Sequence, residues 1–259
     1  MSEPSISIVT PCLNARATLQ QTLDSVRSQE YPDLEHIVVD GGSTDGTVEL
    51  LAGAEGVSFT SEPDRGLTHA KNKGVERARG EVIGQLNADD YYLPGALSHV
   101  GKAFADNPEA LWVTGPCLIV DEAGREIRRP ITTYKNLFLR HYDFRLHLAH
   151  NFVSDPSTFV RRRAFDRVGL HNEEFRYSMD YELFLRLGRL APPIVVEAPL
   201  AAFRLAGTSF SMTSFEEQFD EHARAARMHG AGHGVAVAVN RLTSRLIPAI
   251  YRRTGRTEG

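Results

Sequence analysis

Carboxylates occur at two points where a predicted strand ends. Asp40 closes an apolar run and is followed by Gly41 and Gly42, so a ligand can approach the backbone closely there. Taken alone, this aspartate favours a structural role, in an Asx-type turn or as the cap of the next helix. Direct contact with a bound ligand is the alternative.

The second point is the tetrapeptide Asn87-Ala88-Asp89-Asp90, which follows another apolar run. An amide and two adjacent carboxylates on one turn suit Mg²⁺ or Mn²⁺. These hard cations prefer oxygen ligands and leave most of their coordination to phosphates and water. The alternative is an acidic turn that caps a helix beginning near Pro94. The tetrapeptide by itself does not decide between a metal site and a cap.

Alternating strand-like and helix-like segments must position these residues. Short apolar runs predict strands over 6–9, 35–40, 57–60 and 82–86. Helical spacing of apolar residues predicts helices near 19–26, 43–51, 67–78 and 94–107. Asn14 and Ser43 are the expected caps of the first two helices, and Pro94 is expected in the first turn of the fourth.

This order of elements implies a mostly parallel sheet with helices on both faces. In such sheets ligands bind beyond the carboxyl ends of the strands. The segments Thr10-Pro11, Asp40 to Gly42 and Asn87 to Asp90 all follow or end predicted strands. We therefore expect the three segments to line one crevice.

The second half of the chain is less regular. The sequence predicts a hairpin over 118–127, a helix over 181–190 and strands over 158–160, 194–197 and 200–204. The stretch 130–155 carries scattered aromatic and histidine side chains without a clear period, and we interpret it as a mobile segment over the site. His147 and His150 are expected to be surface or packing residues rather than to bind substrate, and Trp112 is expected to lie in the core.

Composition excludes several classes of protein. Of the 259 residues, 42% are hydrophobic and 24% are charged, as in ordinary globular proteins. A net charge of -4 argues against general affinity for nucleic acid. No secretory signal and no membrane span is expected, so Cys12 and Cys117 are interpreted as reduced thiols of a cytoplasmic protein.

A series of motifs resembles the family 2 glycosyltransferases with a GT-A fold. The segments that carry the resemblance are SIVTPCLN at 7–14, LDSVRSQ at 23–29, VVDGGSTDGT at 38–47, SEPDRG at 61–66, AKNKG at 70–74, the stretch 80–90, STFVRR at 157–162, VGL at 168–170 and SMDYELFLRL at 178–187. The resemblance extends over about residues 5–210. A Gln-x-x-Arg-Trp sequence is absent, which resembles the non-processive members of the family.

The resemblance implies an α/β fold of GT-A type, a Rossmann-like, mixed and mostly parallel sheet flanked by helices. Residues 1–210 would form the catalytic domain, with a donor half at 1–115 and an acceptor half at 116–210. Residues 211–259 would form a C-terminal helical extension.

The implied activity is inverting transfer of a hexose-type sugar from a nucleotide-diphosphate-sugar, with Mn²⁺ or Mg²⁺ as cofactor. UDP is the donor nucleotide that the family favours. The acceptor would be a saccharide or a lipid-linked saccharide in the synthesis of a bacterial surface polysaccharide. A non-catalytic protein that binds sugar nucleotides is the alternative. A nucleotidyltransferase or a Rossmann oxidoreductase is disfavoured, because no glycine-rich loop follows the first strand.

Site residues follow from the matching positions. The family's donor-binding positions correspond to Thr10, Pro11, Asp40, Asp64, Lys71, Asn87, Ala88 and Asp89. The first three would hold the nucleobase, and Asp64 and Lys71 would lie near the ribose and the diphosphate. Asn87-Ala88-Asp89 stands where the family has its DxD motif, so Asp89 would bind the metal. Asparagine at the first position of that motif brings less charge to the site.

The catalytic base of the family is matched by Asp180. Ser178 is the expected N-cap, so Asp180 would lie in the first turn of a helix, where the dipole favours an ionised carboxylate. Many relatives have histidine at the position of Asp155. The aspartate places a second carboxylate near the acceptor side, so Asp155 is the rival base. Glu182 is expected to point away from Asp180. Arg204 either reaches the diphosphate or is solvated.

The C-terminus is locally basic, with five arginines and no acidic residue between positions 241 and 256. On a helical projection the apolar side carries Leu242, Leu246, Ile247 and Ile250, and most of the arginines lie on the other side. A helix of this kind either contacts an anionic membrane surface, as a peripheral protein at its cytoplasmic face, or packs on protein.

Overall fold

The computed structural model describes residues 3–205 and 215–254, with side chains over 216–248 in the second range. The strands of the described residues are β1 (Ile6–Cys12), β2 (Leu34–Asp40), β3 (Val57–Ser61), β4 (Val82–Gln85), β5 (Tyr91–Tyr92), β6 (Trp112–Thr114), β7 (Cys117–Val120), β8 (Thr158–Arg161), β9 (Ile194–Val195) and β10 (Ala201–Arg204). The helices there are α1 (Leu19–Arg27), α2 (Thr47–Ala52), α3 (Leu67–Arg77), α4 (Ala96–Asp106), α5 (Arg129–Arg140), α6 (Phe144–Ala149), α7 (Arg162–Val168), α8 (Met179–Leu190), α9 (Phe215–His229) and α10 (Gly234–Thr254).

Seven strands form the main sheet in the order β3-β2-β1-β4-β8-β6-β9. The first four are parallel to one another, and so are β6 and β9. Strand β8 runs antiparallel to both of its neighbours. The predicted fold class, a mixed and mostly parallel sheet flanked by helices, is confirmed.

The reversal of β8 decides which of its ends lies near the predicted crevice. Gly84 at the end of β4 pairs with Phe159 near the beginning of β8. The amino end of β8, together with the 3-10 turn Asp155–Ser157 that precedes it, therefore lies at the same edge of the sheet as the carboxyl end of β4. This edge receives residues from both halves of the chain.

Close packing between α3 and β1 depends on a glycine. A Cβ atom added at Gly74 would lie 2.1 Å from Cγ1 of Val9, so only glycine allows the helix to approach the strand this closely. Val9 is fully buried in the core. This contact fixes α3, and with it Lys71, against the sheet.

A smaller sheet joins distant parts of the chain in the order β5-β10-β7. Strand β10 runs antiparallel to β5, with Ala201 opposite Tyr92, and parallel to β7. Since β5 directly follows the acidic tetrapeptide, this sheet ties the tetrapeptide to residues more than a hundred positions away. The predicted hairpin over 118–127 is reduced to β7 and one antiparallel bridge from Val120 to Glu126.

The stretch 130–155 forms helices α5 and α6 rather than the expected mobile segment. Its aromatic residues show no helical period because they contribute to a cluster between elements. Trp112, fully buried as predicted, contacts Tyr142 at 5.6 Å between ring centroids. His147 is buried and contacts Phe152 at 5.1 Å, while His150 lies against Phe138 at 6.4 Å. Both histidines pack, as predicted.

The three expected helix starts are wrong. The caps of α1, α2 and α4 are Thr18, Gly46 and Gly95. Asn14 and Ser43 instead join two loops, because the Asn14 N–H donates to Ser43 Oγ at 2.7 Å. Short polar side chains form hydrogen bonds within loops as readily as at helix ends, so the sequence does not distinguish the two roles.

The C-terminal helices pack on the second half of the chain. α9 lies against α8, and α10 lies against α6 and α9. A short segment that contains Gly230 and Gly232 separates His229, at the end of α9, from Gly234, at the start of α10. The predicted domain boundary at residue 210 falls outside the described residues. None of the helices in the described ranges is long and apolar enough to cross a membrane.

Candidate active site

The three segments expected to share a crevice lie at one edge of the sheet. Thr10 and Pro11 on β1 pair with Val38 and Val39 on β2, next to Asp40. The Leu86 N–H donates to the carbonyl oxygen of Val9 at 3.0 Å, so the chain leaving β4 runs beside β1. Parallel strands thus bring residues from three separate motifs together, as the sequence predicted.

Asp40 is fully buried and holds its own loop. Its carboxylate accepts hydrogen bonds from the N–H groups of Gly42 (3.0 Å) and Ser43 (2.9 Å) and from the hydroxyl groups of Ser43 and Ser61. Burial raises the pKa of Asp40, but these hydrogen bonds outweigh it, and the net pKa lies below its ordinary value. Asp40 therefore forms an ionised Asx-type turn that shapes the loop, and its contact with a nucleobase stays a prediction.

Asp64 follows the carboxyl end of β3 and lies against the same loop. Its Oδ1 atom accepts a hydrogen bond from the Gly66 N–H at 2.7 Å. A Cβ atom added at Gly41 would lie 2.7 Å from the Oδ2 atom of Asp64, so a larger residue at that position would displace the Asp64 carboxylate. The structure thus brings Asp64 beside the loop that follows Asp40, and its place near the ribose stays a prediction.

The two aspartates of the acidic tetrapeptide differ. Asp90 is fully buried, and its carboxylate accepts hydrogen bonds from the Arg204 N–H (2.9 Å) and the Asn87 amide (3.2 Å). Burial raises the pKa of Asp90 well above its ordinary value, and the nearby Asp89 raises it further. Asp89 is half-buried, and no other described residue donates a hydrogen bond to its carboxylate. Asp89 is therefore the aspartate available to a ligand.

Arg204 follows neither expectation. It is buried, and its guanidinium group donates to the carbonyl oxygens of Asp89 and Glu122, each at 2.9 Å, and to the side chain of Gln21. With its donors used in this way, Arg204 is neither solvated nor free to reach a diphosphate. It fixes the backbone of the acidic turn instead.

A divalent cation fits this turn. No group of three or more His, Cys, Asp or Glu side chains that could enclose a metal occurs within residues 3–205 and 215–254. Mg²⁺ and Mn²⁺ need only one or two protein oxygens where a diphosphate supplies others. Asp89 offers a carboxylate, and the buried Oδ1 atom of Asn87 has no hydrogen-bond partner in the described part of the chain. These oxygens are suited to a metal-diphosphate group or to a donor hydroxyl.

Lys71 and Asp155 form a buried ion pair. The Lys71 side chain is 2% exposed, that of Asp155 is 12% exposed, and the ammonium group contacts Asp155 Oδ2. Asp155 lies in the 3-10 turn that precedes the antiparallel strand β8. The sequence predicted Lys71 near the diphosphate and Asp155 as a rival base, but gave no sign that they pair.

Asp180 lies in the first turn of α8 and is half-buried. Burial raises the pKa of Asp180 to about 6, the nearby Asp155 adds to the increase, and Lys71 and Lys135 oppose it. The helix dipole was expected to favour ionisation, but burial is the larger effect. A carboxyl group with this pKa is ionised at neutral pH and still binds a proton readily, as a general base requires.

The expected cap of α8 is only partly present. Ser178 occupies the N-cap position, but its hydroxyl group donates to the carbonyl oxygen of Gln218 at 3.1 Å. Glu182 contacts Arg186 and His229, away from Asp180, as expected.

No sequence motif marks Lys135, which comes from α5 to the same region. Its ammonium group lies 3.4 Å from Ser154 Oγ. Burial lowers the pKa of Lys135, whereas Cys117 and Asp180 raise it. The lysine was missed because the stretch around it shows no period.

His171 is a second residue that the sequence did not indicate. It is buried, and its Nε2 atom lies 3.0 Å from Oε1 of Gln85 at the end of β4. Its Nδ1 atom lies 3.3 Å from the carbonyl oxygen of Met179, next to Asp180. Burial lowers the pKa of His171 to about 4, so the ring is neutral. His171 therefore links the end of β4 to the start of α8.

Carboxyl groups from both halves of the chain interact at this edge of the sheet. Asp155 raises the pKa of both Asp90 and Asp180, so the three carboxyl groups interact. Three cationic side chains act on the same groups, Arg204 on Asp89, and Lys71 and Lys135 on Asp180.

Comparison with known proteins agrees with these features. Residues 7–169 match the family described as Glycosyl transferase family 2. An uncharacterized glycosyltransferase of Mycobacterium tuberculosis is 31% identical over 212 residues, which cover 80% of this chain and 77% of that protein. The chondroitin synthase of Pasteurella multocida is 30% identical over 191 residues, covering 72% of this chain but 19% of the synthase.

Solved structures share the fold. TarS 1-349 of S. aureus in complex with UDP-GlcNAc aligns with a TM-score of 0.68 at 16% identity, covering 93% of this chain and 72% of that one. The mannosyltransferase PcManGT of Pyrobaculum calidifontis, in complex with GDP-Man and Mn²⁺, aligns with a TM-score of 0.61 at 17% identity, covering 99% and 76%. The predicted GT-A architecture is confirmed.

Proposed function

The chain belongs to glycosyl transferase family 2, and from this premise we propose a metal-dependent, inverting hexosyltransferase that uses a nucleotide-diphosphate-sugar. The observation that carries the proposal is the available carboxylate of Asp89 at the same edge as Asp180, a carboxyl group whose pKa suits a base. Asp155 and Lys71 lie in the same electrostatic cluster.

The proposed donor is a UDP-sugar. The solved structures with this fold include complexes with UDP-GlcNAc and with GDP-Man, and the first of these aligns with the higher TM-score. In the proposal, Thr10, Pro11 and Asp40 hold the nucleobase, and Asp64 lies near the ribose. Lys71 would face the diphosphate while it remains paired with Asp155.

Asp89, with Asn87 beside it, would hold the cation. A bound Mn²⁺ or Mg²⁺ supplies positive charge that stabilises the leaving diphosphate. The Asp180 carboxylate takes the proton of the acceptor hydroxyl group as its oxygen bonds to the anomeric carbon. The bond from that carbon to the phosphate oxygen breaks, and its electron pair leaves with the nucleoside diphosphate. Direct attack from the opposite side inverts the anomeric centre, so one base is sufficient.

Asp180 is favoured over Asp155 as the base. The carboxylate of Asp155 is already engaged in a buried ion pair with Lys71. Among the described residues Asp180 forms no ion pair, and burial raises its pKa. The two carboxylates therefore have different tasks, one in charge balance and one in proton transfer.

Calorimetric titration with UDP, GDP and dTDP, with and without Mn²⁺, tests the donor site. We expect Mn²⁺ to strengthen binding of one nucleotide, UDP in the proposal, by about 10-fold or more, since Asp89 would hold the metal and the metal would offset the charge of the diphosphate. Asp89→Ala should abolish that enhancement, while Asp166→Ala, at an exposed position on α7, should leave it unchanged.

Equal binding with and without metal in the wild-type protein would contradict the metal role. Release of the free nucleoside diphosphate is then measured with the preferred donor and saccharide acceptors. Tight binding without turnover would favour the alternative, a sugar-nucleotide-binding protein.

We also propose that the acceptor is a lipid-linked saccharide of surface polysaccharide synthesis and that α10 contacts the cytoplasmic membrane face. Leu242 and Leu246 are 57% and 50% exposed, and Arg241 and Arg245 are exposed beside them. The inward face of α10 is lined instead by Ala236, Asn240 and Ser244.

Leucines and arginines thus share the exposed face of α10, whereas the helical projection had placed them on opposite sides. Ile247 is half-buried, and the side chains of Ile250 and the later arginines lie outside the described ones. Exposed leucines enter the headgroup region of a bilayer while neighbouring arginines contact anionic lipid, so this face suits an anionic surface.

Co-sedimentation with vesicles tests the membrane contact. We expect binding to phosphatidylglycerol vesicles and weak binding to phosphatidylcholine vesicles. The double substitution Leu242→Ser with Leu246→Ser should reduce the bound fraction several-fold, because both side chains lose their apolar burial. Leu190→Ser, at another exposed apolar position, is the matched control. Absence of binding, or equal loss in the control, would rule the contact out.

A further inference from the structure

Helix α9 holds the loop that leads into the helix of Asp180. The carboxylate of Glu221 on α9 accepts hydrogen bonds from three consecutive backbone N–H groups, those of Arg176 (2.8 Å), Tyr177 (2.8 Å) and Ser178 (2.9 Å). The first bond goes to Oε1 and the other two go to Oε2. One side chain thus fixes the three residues immediately before Met179 and Asp180.

The physical effect of this contact is to determine where α8 begins. The three N–H groups precede the helix, so its own hydrogen bonds do not include them. Hydrogen bonds to a carboxylate are shorter and stronger than those between neutral groups. The positive end of the α8 dipole adds to the attraction for Glu221. The direction of the first turn of α8 therefore depends on a residue of α9.

Further contacts from the C-terminal helices surround the same turn. Besides the Ser178 hydroxyl bond to Gln218, the His222 ring contacts the ring of Tyr181 at 4.9 Å between centroids. The Asn240 amide lies 3.2 Å from the Tyr181 hydroxyl group. Residues on both sides of Asp180 are thus held by α9 and α10.

We propose that Glu221 is a positioning residue for the base, acting through the backbone of 176–178 to place the Asp180 carboxylate. The inference rests on the proposed role of Asp180. Glu221 does not contact the substrate in this proposal, and the donor edge is built from β1, β2 and β4. Its loss therefore affects the transfer step and leaves donor binding intact.

Two substitutions of Glu221 give a graded test. Glu221→Gln keeps the shape but has one carbonyl oxygen, so at most two of the three hydrogen bonds remain. Glu221→Ala removes all three. We expect kcat to fall by about 10-fold or more in the alanine variant and by a smaller factor in the glutamine variant, because displacement of a catalytic group by about 1 Å is costly. The affinity for UDP, measured by calorimetry, should stay within about twofold of wild type, since binding and transfer are separable effects.

Controls separate positioning from a purely structural role. Glu217→Gln, at an exposed position on the same helix, should leave kcat unchanged. Unchanged kcat in Glu221→Ala would overturn the proposal. So would a parallel loss of kcat, UDP affinity and thermal unfolding temperature in both Glu221 variants, because it would indicate general damage.

The pH dependence distinguishes failure of this inference from failure of the proposed function. If Asp180 remains the base, Glu221→Ala lowers kcat but retains a decrease in activity below pH about 6. Full activity of Asp180→Asn would overturn the base assignment itself. An inactive Asp180→Asn together with a fully active Glu221→Ala would overturn the positioning role alone.

Discussion

The loop that holds Asp40 and the acceptor side of this site are assembled differently. The carboxylate of Asp40 is held largely by Gly42 and Ser43, two and three positions further along the chain. On the acceptor side, Lys71 pairs with Asp155 across 84 positions. The loop before Asp180 is held from α9, across more than forty positions.

This difference determines how each region responds to substitution. A loop built by local hydrogen bonds keeps its shape when distant elements change. The acceptor side depends on charges and backbone positions supplied from elsewhere in the chain, so a single remote substitution alters the environment of the base. Asp155, Asp180, Lys71 and Lys135 act there as one electrostatic unit.

The largest expected effect comes from breaking the buried ion pair of Lys71 and Asp155. Lys71→Met leaves the carboxylate of Asp155 buried without its cation. Loss of one partner from a buried ion pair costs about 3–5 kcal/mol in the free energy of unfolding. Urea denaturation of the wild-type and variant proteins measures this difference.

The same helix supplies the control. Lys73 pairs with Glu62, whose side chain is 60% exposed, so Lys73→Met should change the free energy of unfolding little. Equal stability of the two variants would show that the pair of Lys71 and Asp155 is no more important than a surface contact. The contrast between the two regions would then lose its main support.

A smaller effect in energy, but a decisive one for function, is expected at Asp180. Asp180→Asn removes the proton acceptor and should lower kcat by about 100-fold or more, with donor binding near wild type. In the wild-type enzyme kcat should rise with pH through about 6, because only the ionised carboxyl group accepts a proton. Initial rates across this pH range measure both expectations.

Stability provides the control for that substitution. The folded-state pKa of Asp180 lies above its unfolded value, so ionisation of this group reduces stability as the pH rises from about 4 through about 6. Asp180→Asn removes that cost and should be at least as stable as wild type near neutral pH. If Asp180→Asn stays active and Asp155→Asn does not, the base is Asp155.

Much of the fold was predictable because its signals are local. The positions of β1 to β4 follow from short apolar runs, and the crevice follows from the rule that carboxyl ends of parallel strands share an edge. Helix starts were less predictable. Asn14 and Ser43 have side chains that are typical of helix caps, but they form hydrogen bonds between two loops. They do so because the fold brings those two loops close together.

Local sequence patterns were sufficient to predict the family, the fold class and the motifs at the donor edge, because each depends on residues close together in the chain. The pairing of Lys71 with Asp155, the place of Lys135 and the support of the α8 start by Glu221 follow from tertiary packing. It also reversed the expected influence on the pKa of Asp180, since burial exceeds the effect of the helix dipole. Burial and long-range contacts arise from the packing of distant segments, and no local pattern records them.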